Sequence, residues 1–153
     1  PENRMVWYDK HHLFTYSGEA ENYTAGKERV IVNFRGVRIM LLICYDLRFP
    51  KFSRNHDDYE AIIYPANWPD KRIFAWDILL RARAIENQCY VIGVNRSGED
   101  ELGFYPGHST IIDPYGGTLV HTDETPQMVS GRLDLEKLND FRIKFPVIKD
   151  ADR

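Results

Sequence analysis

Residues 41–50 read LLICYDLRFP, and this stretch decides how the chain folds. Apolar residues run straight into Cys44, and a tyrosine, an aspartate and an arginine follow within four positions. The run predicts a buried strand that ends at Cys44, with polar residues at its carboxyl end. Two interpretations are open: Cys44 is a small core residue, or it is a nucleophile held at the edge of a sheet.

The segments around this stretch predict an α/β protein with a mixed sheet. Strands are predicted over residues 30–34, 37–43, 61–64, 89–94, 109–112, 118–121 and 128–133, and helices over 71–88 and 135–144. Residues 50–54 predict a short helix or a loop. Several of these strands are apolar on both faces, which is typical of a sheet that is covered on each side.

The composition indicates one globular domain, because 153 residues are 43% hydrophobic. A net charge of −3 provides no basic field for nucleic acid or an anionic membrane. No apolar run approaches the ~20 residues that a membrane span needs. Two cysteines are too few for a disulfide scaffold, and the five histidines lack metal-ligand spacing. We therefore expect a cytoplasmic protein that uses no metal or organic cofactor and binds neither nucleic acid nor membranes.

A reactive thiolate at the end of a strand needs a nearby cation and a base. Lys10, in WYDKHHLF, lies between two apolar runs, and Glu19 lies on a predicted loop that Gly26 closes. Taken one at a time, these residues favour simpler interpretations: a surface lysine, an exposed carboxylate and, for Cys44, an inert core thiol. Cys89, inside CYVIGV, is predicted to be a core residue.

Five motifs, taken together, change this balance. In order, they are YDKHHLF, GEAENYTAG, ICYDLRFP, YPANWP and RARAIENQ. They resemble the carbon–nitrogen hydrolase (nitrilase) superfamily, and most closely its omega-amidase branch with the bacterial YafV-like proteins. The resemblance covers nearly the whole chain. It implies an αββα sandwich and a Cys–Lys–Glu catalytic set that a second glutamate completes.

Matching motif to motif, the resemblance implies that Cys44 is the nucleophile and Lys10 the family lysine. Glu19 matches the family glutamate, because it lies seven positions before Gly26. Glu21, two residues further on, is the competitor for that role.

The same resemblance implies three substrate-binding residues. The backbone N–H of Tyr45 would face the developing oxyanion. Asn67 and Trp68 resemble the family's pocket-lining loop, although a proline-rich turn with a packing tryptophan fits them equally well. Asp46 and Arg48 are expected to brace the turn around the thiol.

One residue of the family set has no match in this sequence. The general-base glutamate of the family lies well before the lysine motif, and only nine residues precede Lys10. Glu2 and Asp9 are the carboxylates among those nine, and the context of Glu2 does not match. The opening PENRMVWYDK reads as the continuation of something longer. We therefore expect residues 1–153 to be the C-terminal part of a single carbon–nitrogen hydrolase domain, roughly half of the sandwich, and inactive alone.

The implied reaction is hydrolysis of a small-molecule amide through a thioester. A 2-oxo-dicarboxylate monoamide, such as 2-oxoglutaramate, would yield the 2-oxo-dicarboxylate and ammonia. Two alternatives stay open: another amidase of the superfamily, acting on deaminated glutathione or on N-carbamoyl compounds, and a catalytically silent fragment that serves as a binding or assembly module. A homodimer or higher homo-oligomer is expected.

The omega-amidase resemblance, together with arginines near these motifs, implies that the substrate carries a free carboxylate beyond the scissile amide. Arg48, Arg54 and Arg72 are the candidates. Arg83 and Glu86, three residues apart on the long helix, are predicted to pair for structural reasons.

Overall fold

The computed structural model describes residues 5–151, so Glu2 lies outside them. A six-stranded sheet with the order β1-β2-β3-β4-β7-β8 forms its centre. The strands are β1 (Val30–Phe34), β2 (Val37–Leu41), β3 (Ala61–Ala66), β4 (Tyr90–Asn95), β7 (Thr110–Ile112) and β8 (Thr118–His121), and β5 (Ser97–Asp100) with β6 (Gly103–Pro106) forms a separate hairpin. Strands β2, β3 and β4 are parallel, and the other neighbours are antiparallel. This mixed sheet confirms the predicted α/β class.

Residues 5–151 contain four α-helices: α1 (Glu19–Asn22), α2 (Pro50–Ser53), α3 (Ile73–Glu86) and α4 (Leu135–Lys144). Short 3₁₀ turns lie at Thr15–Ser17, Cys44–Arg48, Asp70–Arg72 and Val147–Asp150. Between residues 5 and 151, no helix is long and apolar enough to cross a membrane.

Helix α3 covers one face of the sheet and forms the main core there. Trp76 and Leu80 are fully buried in a cluster with Ile62 and Val91. A Cβ atom on Gly93 would lie 2.5 Å from Leu80 Cδ1 and 2.8 Å from Trp76 Cζ2. Only glycine therefore allows α3 to approach β4 this closely.

The opposite face of the sheet is covered in part by α4. Leu138 is buried against Ala61 and Tyr90, which point away from α3. The strands thus bury side chains on both faces, as their apolar runs predict. Phe34 and Val94 lie on the same face and are 61% and 50% exposed.

Several predicted boundaries are corrected by the structure. Strand β2 ends at Leu41 rather than continuing to Cys44, and β3 continues through Pro65, which pairs with Val94 in the parallel register. Residues 128–133 form no strand: Met128 is 99% exposed, and Gly131 packs against Ile111 and Val120 instead of extending the ladder.

Two elements have no counterpart in the predictions. Strand β5 and the turn that follows it are polar and rich in acidic residues, so they lack the apolar alternation by which strands are recognised. Glu19 begins the single helical turn α1, where a loop was expected. Strands β1 and β8 and helix α4 have the predicted bounds.

Candidate active site

The candidate site lies beyond the carboxyl ends of the three parallel strands, where ligands bind in open α/β sheets. Cys44 follows β2, and Asn67 and Trp68 follow β3. Asn95, the last residue of β4, fixes the second of these loops. Its Oδ1 accepts a hydrogen bond from Trp68 N at 2.7 Å, and its Nδ2 donates to Trp68 O at 2.9 Å. The sequence analysis did not identify this role for Asn95.

Cys44 adopts a backbone conformation that is unusual for its residue type. Its φ is 45°, in the left-handed region, and it begins the Cys44–Arg48 turn. That region costs a non-glycine residue about 1–2 kcal/mol and is tolerated where the surroundings impose it, often at functional sites. The thiol therefore lies in a strained turn after the strand, rather than on the strand itself.

Asp46 supplies the contacts that impose this turn. Its side chain is fully buried and accepts four hydrogen bonds. Oδ2 accepts from Ile43 N at 3.0 Å, within the turn, and from Tyr8 OH at 2.9 Å. Oδ1 accepts from His12 N at 2.8 Å and from His12 Nδ1 at 2.9 Å. Asp46 therefore braces the turn, as predicted, and also attaches it to residues 8–12.

Lys10 lies between those attachment points and pairs with Glu19. Its Nζ donates to Glu19 Oε1 at 2.8 Å and to Oε2 at 2.6 Å, and Phe14 N donates to Oε2 at 2.8 Å. Burial would raise the pKa of Glu19, but these hydrogen bonds outweigh it, so the pKa lies below its usual value. Glu21 is exposed. The structure thus places Glu19, and not its competitor, on Lys10.

Gly26 packs against the backbone of Asp9 and Lys10. Its N–H donates to Lys10 O at 3.0 Å, and a Cβ atom would lie 2.2 Å from Asp9 O. Only glycine fits against this backbone, which explains why the motif ends on that residue.

Opposing influences act on the Cys44 thiol. Burial raises its pKa, while the positive charge of Lys10 and the backbone N–H groups of Asn67 and Tyr45 lower it. The net pKa lies above the usual value for cysteine. A cation and two N–H donors near one sulfur are the features expected where negative charge develops on that atom or beside it.

Cys44 opens onto a cavity of about 380 Å³. All three predicted substrate-binding residues, Tyr45, Asn67 and Trp68, are in its wall. The full lining is Phe14, Tyr16, Cys44, Tyr45, Arg48, Asn67, Trp68, Pro69 and Arg72. Phe14 and Tyr16 were not predicted to line the cavity, although Phe14 ends the lysine motif, Tyr16 lies two residues beyond it, and their aromatic character was a usable signal.

The three arginines predicted to meet a carboxylate separate into two groups. Arg48 and Arg72 line the cavity. Arg54 does not, since its Nη1 donates to Glu86 O at 2.8 Å. Arg48 was expected to brace the thiol turn, but its guanidinium instead lies 5.1 Å from the centre of the Trp68 ring.

Arg83 provides the bracing that Arg48 does not. It pairs with Glu86 at 2.8 Å, as predicted, and its Nη2 donates to Leu47 O at 2.7 Å. Helix α3 thereby contacts the turn that carries the thiol.

Cys89 has a very different environment. It is fully buried, burial raises its pKa, and its Sγ lies 3.8 Å from Arg83 O. This is the core position that the sequence predicts. Among residues 5–151, no three His, Cys, Asp or Glu side chains are grouped so that they could hold a metal ion.

The carbon-nitrogen hydrolase family profile matches residues 3–143. The chain belongs to the carbon-nitrogen hydrolase family.

Individual relatives are similar over nearly the whole chain. Omega-amidase YafV of Yersinia enterocolitica is 46% identical over 155 residues, which cover 100% of this chain and 60% of that protein. The 2-oxoglutaramate amidase of Bacillus subtilis is 39% identical over 145 residues, covering 94% and 56%. The chain thus spans about 60% of the length of the first of these relatives. The narrower expectation, that it is the C-terminal portion only, is not borne out.

Solved structures agree on the fold. XC1258 of Xanthomonas campestris, a CN-hydrolase superfamily protein with an arsenic adduct in its active site, superposes with a TM-score of 0.92 at 42% identity, covering 95% of this chain and 58% of that one. Nit3 of Saccharomyces cerevisiae, a member of the nitrilase superfamily, gives a TM-score of 0.78 at 28% identity, covering 90% and 51%. The fold is that of the nitrilase superfamily.

Proposed function

We propose that this protein hydrolyses a small-molecule amide with Cys44 as the nucleophile. The substrate we propose is a 2-oxo-dicarboxylate monoamide such as 2-oxoglutaramate, by analogy with the two amidase relatives. The observation that carries the proposal is the position of Cys44: a strained turn presents its thiol to a cavity, beside Lys10 and two backbone N–H groups.

The chemistry proceeds in two halves. The Cys44 thiolate adds to the amide carbon, and the carbonyl oxygen becomes an oxyanion that Lys10 and the Tyr45 N–H stabilise. The oxyanion collapses, the C–N bond breaks, and the nitrogen takes a proton and leaves as ammonia. Water then attacks the thioester, so the carboxylate product forms and the thiol is regenerated.

Glu19 has a supporting role in this scheme. Both of its oxygens are engaged by Lys10, one of them also by Phe14 N, and its pKa is lowered. A carboxylate so occupied is a poor proton acceptor. We therefore propose that Glu19 positions Lys10, and that the second glutamate of the family set accepts the thiol proton.

The assignment can be tested on the acylation half alone, which an activated ester isolates from proton transfer to the leaving group. The protein is mixed with a p-nitrophenyl ester, p-nitrophenolate release is followed, and the acylated residue is mapped by mass spectrometry. We expect one acyl group per chain, on Cys44. Cys44→Ala should lose it and the matched variant Cys89→Ala should keep it. Acylation of Cys89, or an unchanged rate in Cys44→Ala, would overturn the assignment.

The substrate is tested by ammonia release from 2-oxoglutaramate, an N-carbamoyl amino acid and deaminated glutathione, in a protein that also carries the second glutamate of the family set, because residues 1–153 are expected to be inactive alone. We expect 2-oxoglutaramate to be hydrolysed fastest. A faster rate with either alternative would replace the substrate but keep the nucleophile, and a chain without acylation would be a silent binding or assembly module.

The proposal includes assembly into a homo-oligomer and a cytoplasmic location. Phe34 and Val94, exposed on the sheet face opposite α3, support association through that face. Sedimentation velocity on Phe34→Ser and wild type tests it: a monomer in both would contradict the oligomer.

A further inference from the structure

We propose that Arg72, supported by Arg48, is the receptor for the carboxylate of the substrate and so determines its specificity. The inference rests on the proposed function and adds the residues that distinguish a carboxylate-bearing amide from a neutral one. Both arginines line the cavity onto which Cys44 opens. Its other lining side chains are aromatic, apolar or uncharged, and none is a carboxylate. The wall therefore presents two positive charges that nothing within it balances.

Five other arginines among residues 5–151 are used differently. They form ion pairs with carboxylates: Arg29 with Asp58, Arg38 with Glu60, Arg83 with Glu86, Arg96 with Asp100, and Arg142 with Asp57. Arg48 and Arg72 have no such partner in the part of the chain that the structure describes. Their side chains also donate no hydrogen bond to any of residues 5–151.

Instead, each of the two guanidinium groups is held through its face. The Arg72 Cζ lies 5.5 Å from the centre of the Phe14 ring, and the Arg48 Cζ lies 5.1 Å from that of Trp68. A cation–π contact engages the flat face of the group and leaves the N–H edges free. Those edges match the geometry of a carboxylate, which accepts two parallel hydrogen bonds from one guanidinium.

Burial makes Arg72 the more important of the pair. Arg72 is half-buried, whereas Arg48 is exposed. A charge near low-dielectric walls attracts an anion more strongly than one in water, so the interaction with Arg72 exceeds that with Arg48. The aromatic walls leave space for the short carbon chain between the carboxylate and the scissile amide.

The experiment measures how well a ligand protects Cys44 from alkylation by iodoacetamide, so it does not depend on turnover. The two ligands are glutaramate, which has an amide and a carboxylate, and glutaramide, in which a second amide replaces the carboxylate. They have the same size and differ in charge. For wild type we expect glutaramate to protect at a concentration about tenfold lower, because a charge-assisted pair of this kind is worth roughly one factor of ten.

Arg72→Ala should remove most of that tenfold preference. Arg72→Lys should restore part of it, since a lysine keeps the charge but cannot donate two parallel hydrogen bonds to one carboxylate. Lys71→Ala is the matched control: Lys71 is the exposed neighbour, carries the same charge and does not line the cavity. It should leave the preference unchanged. The alkylation rate without ligand must be the same in all four proteins, which shows that the Cys44 turn is intact.

The outcomes separate this inference from the proposed function. Equal protection by the two ligands in wild type would overturn the carboxylate receptor, while ester acylation of Cys44 would still support the amidase. A full preference retained in Arg72→Ala would overturn the role of Arg72. An equal loss in Lys71→Ala would show that long-range charge, and not a receptor, is responsible.

Discussion

The two cysteines of this protein have nearly the same local sequence character and very different surroundings. Each adjoins an apolar strand, and burial raises the pKa of both thiols. Cys89 lies in a bend between Gln88 and β4, has no left-handed φ of its own, and its sulfur is enclosed by the main core. At Cys44 the backbone is left-handed and the thiol opens onto a cavity. Lys10 and two backbone N–H groups lower the pKa of this thiol and so oppose the effect of burial.

This comparison shows that a reactive thiol is defined by what surrounds it. Apolar neighbours alone make a thiol inert, because they favour its uncharged form. The difference at Cys44 comes from residues distant in the sequence. Lys10 precedes Cys44 by 34 positions, and the hydrogen bond between His12 and Asp46 connects the segments that carry them.

The largest effect on stability is expected from Asp46→Ala, which removes the hydrogen bonds that hold the Cys44 turn and leaves the contacts of Cys89 unchanged. The substitution leaves the half-buried donors on Ile43, Tyr8 and His12 without their buried acceptor. Breaking a buried charged network of this kind costs about 3–5 kcal/mol. Urea unfolding should show that loss in the free energy of unfolding. Asp70→Ala, at an exposed site, is the control and should stay within about 0.5 kcal/mol.

The second prediction concerns reactivity. Limiting iodoacetamide should label Cys44 about 100-fold faster than Cys89, because Cys89 reacts only after local opening of the core. Peptide mapping by mass spectrometry measures the ratio. Preferential labelling of Cys89 would invert the comparison and exclude Cys44 as the reactive thiol.

The pH dependence of Cys44 labelling tests the effect of Lys10 on the thiol. The thiolate is the reactive form, so labelling accelerates as the pH rises through the thiol pKa. Lys10→Met removes a charge that lowers the pKa of Cys44 and leaves Glu19, whose charge raises it. The acceleration should therefore shift to higher pH. Lys27→Met, at an exposed lysine, should not shift it, and an unshifted profile for Lys10→Met would refute the coupling.

The smallest expected effect is the difference in the free energy of unfolding between the two cysteine-to-alanine variants. Cys89→Ala should cost about 1–2 kcal/mol, because it leaves a void in a closed core. Cys44→Ala should change the free energy of unfolding by less than about 0.5 kcal/mol, because the space left by its sulfur adjoins a cavity that water can fill. Chemical denaturation of the two variants measures this difference. Equal costs would mean that Cys44 is as tightly enclosed as Cys89.

The sequence by itself determined the α/β class, the bounds of β1, β8 and α4, and the motifs that carry Cys44, Lys10 and Glu19. These depend on short-range regularities: apolar period, the helix stop before Pro146, and residue types at fixed spacing. It misjudged residues 128–133 because an apolar alternation also suits a segment that lies across a sheet. It missed β5 because its residues are polar and mostly exposed, and β6 because only two aromatic residues lie between Gly103 and Pro106.

Only the tertiary structure decided which residues meet. It placed Glu19 rather than Glu21 on Lys10, turned Arg48 towards Trp68, and separated Arg54 from the cavity. The positions at which β2, β3 and β4 end relative to one another bring their carboxyl-end loops together, and that register follows from long-range packing such as the contact of α3 with Gly93. Side chains far apart in the chain become neighbours through the packing of whole elements, which no local pattern specifies.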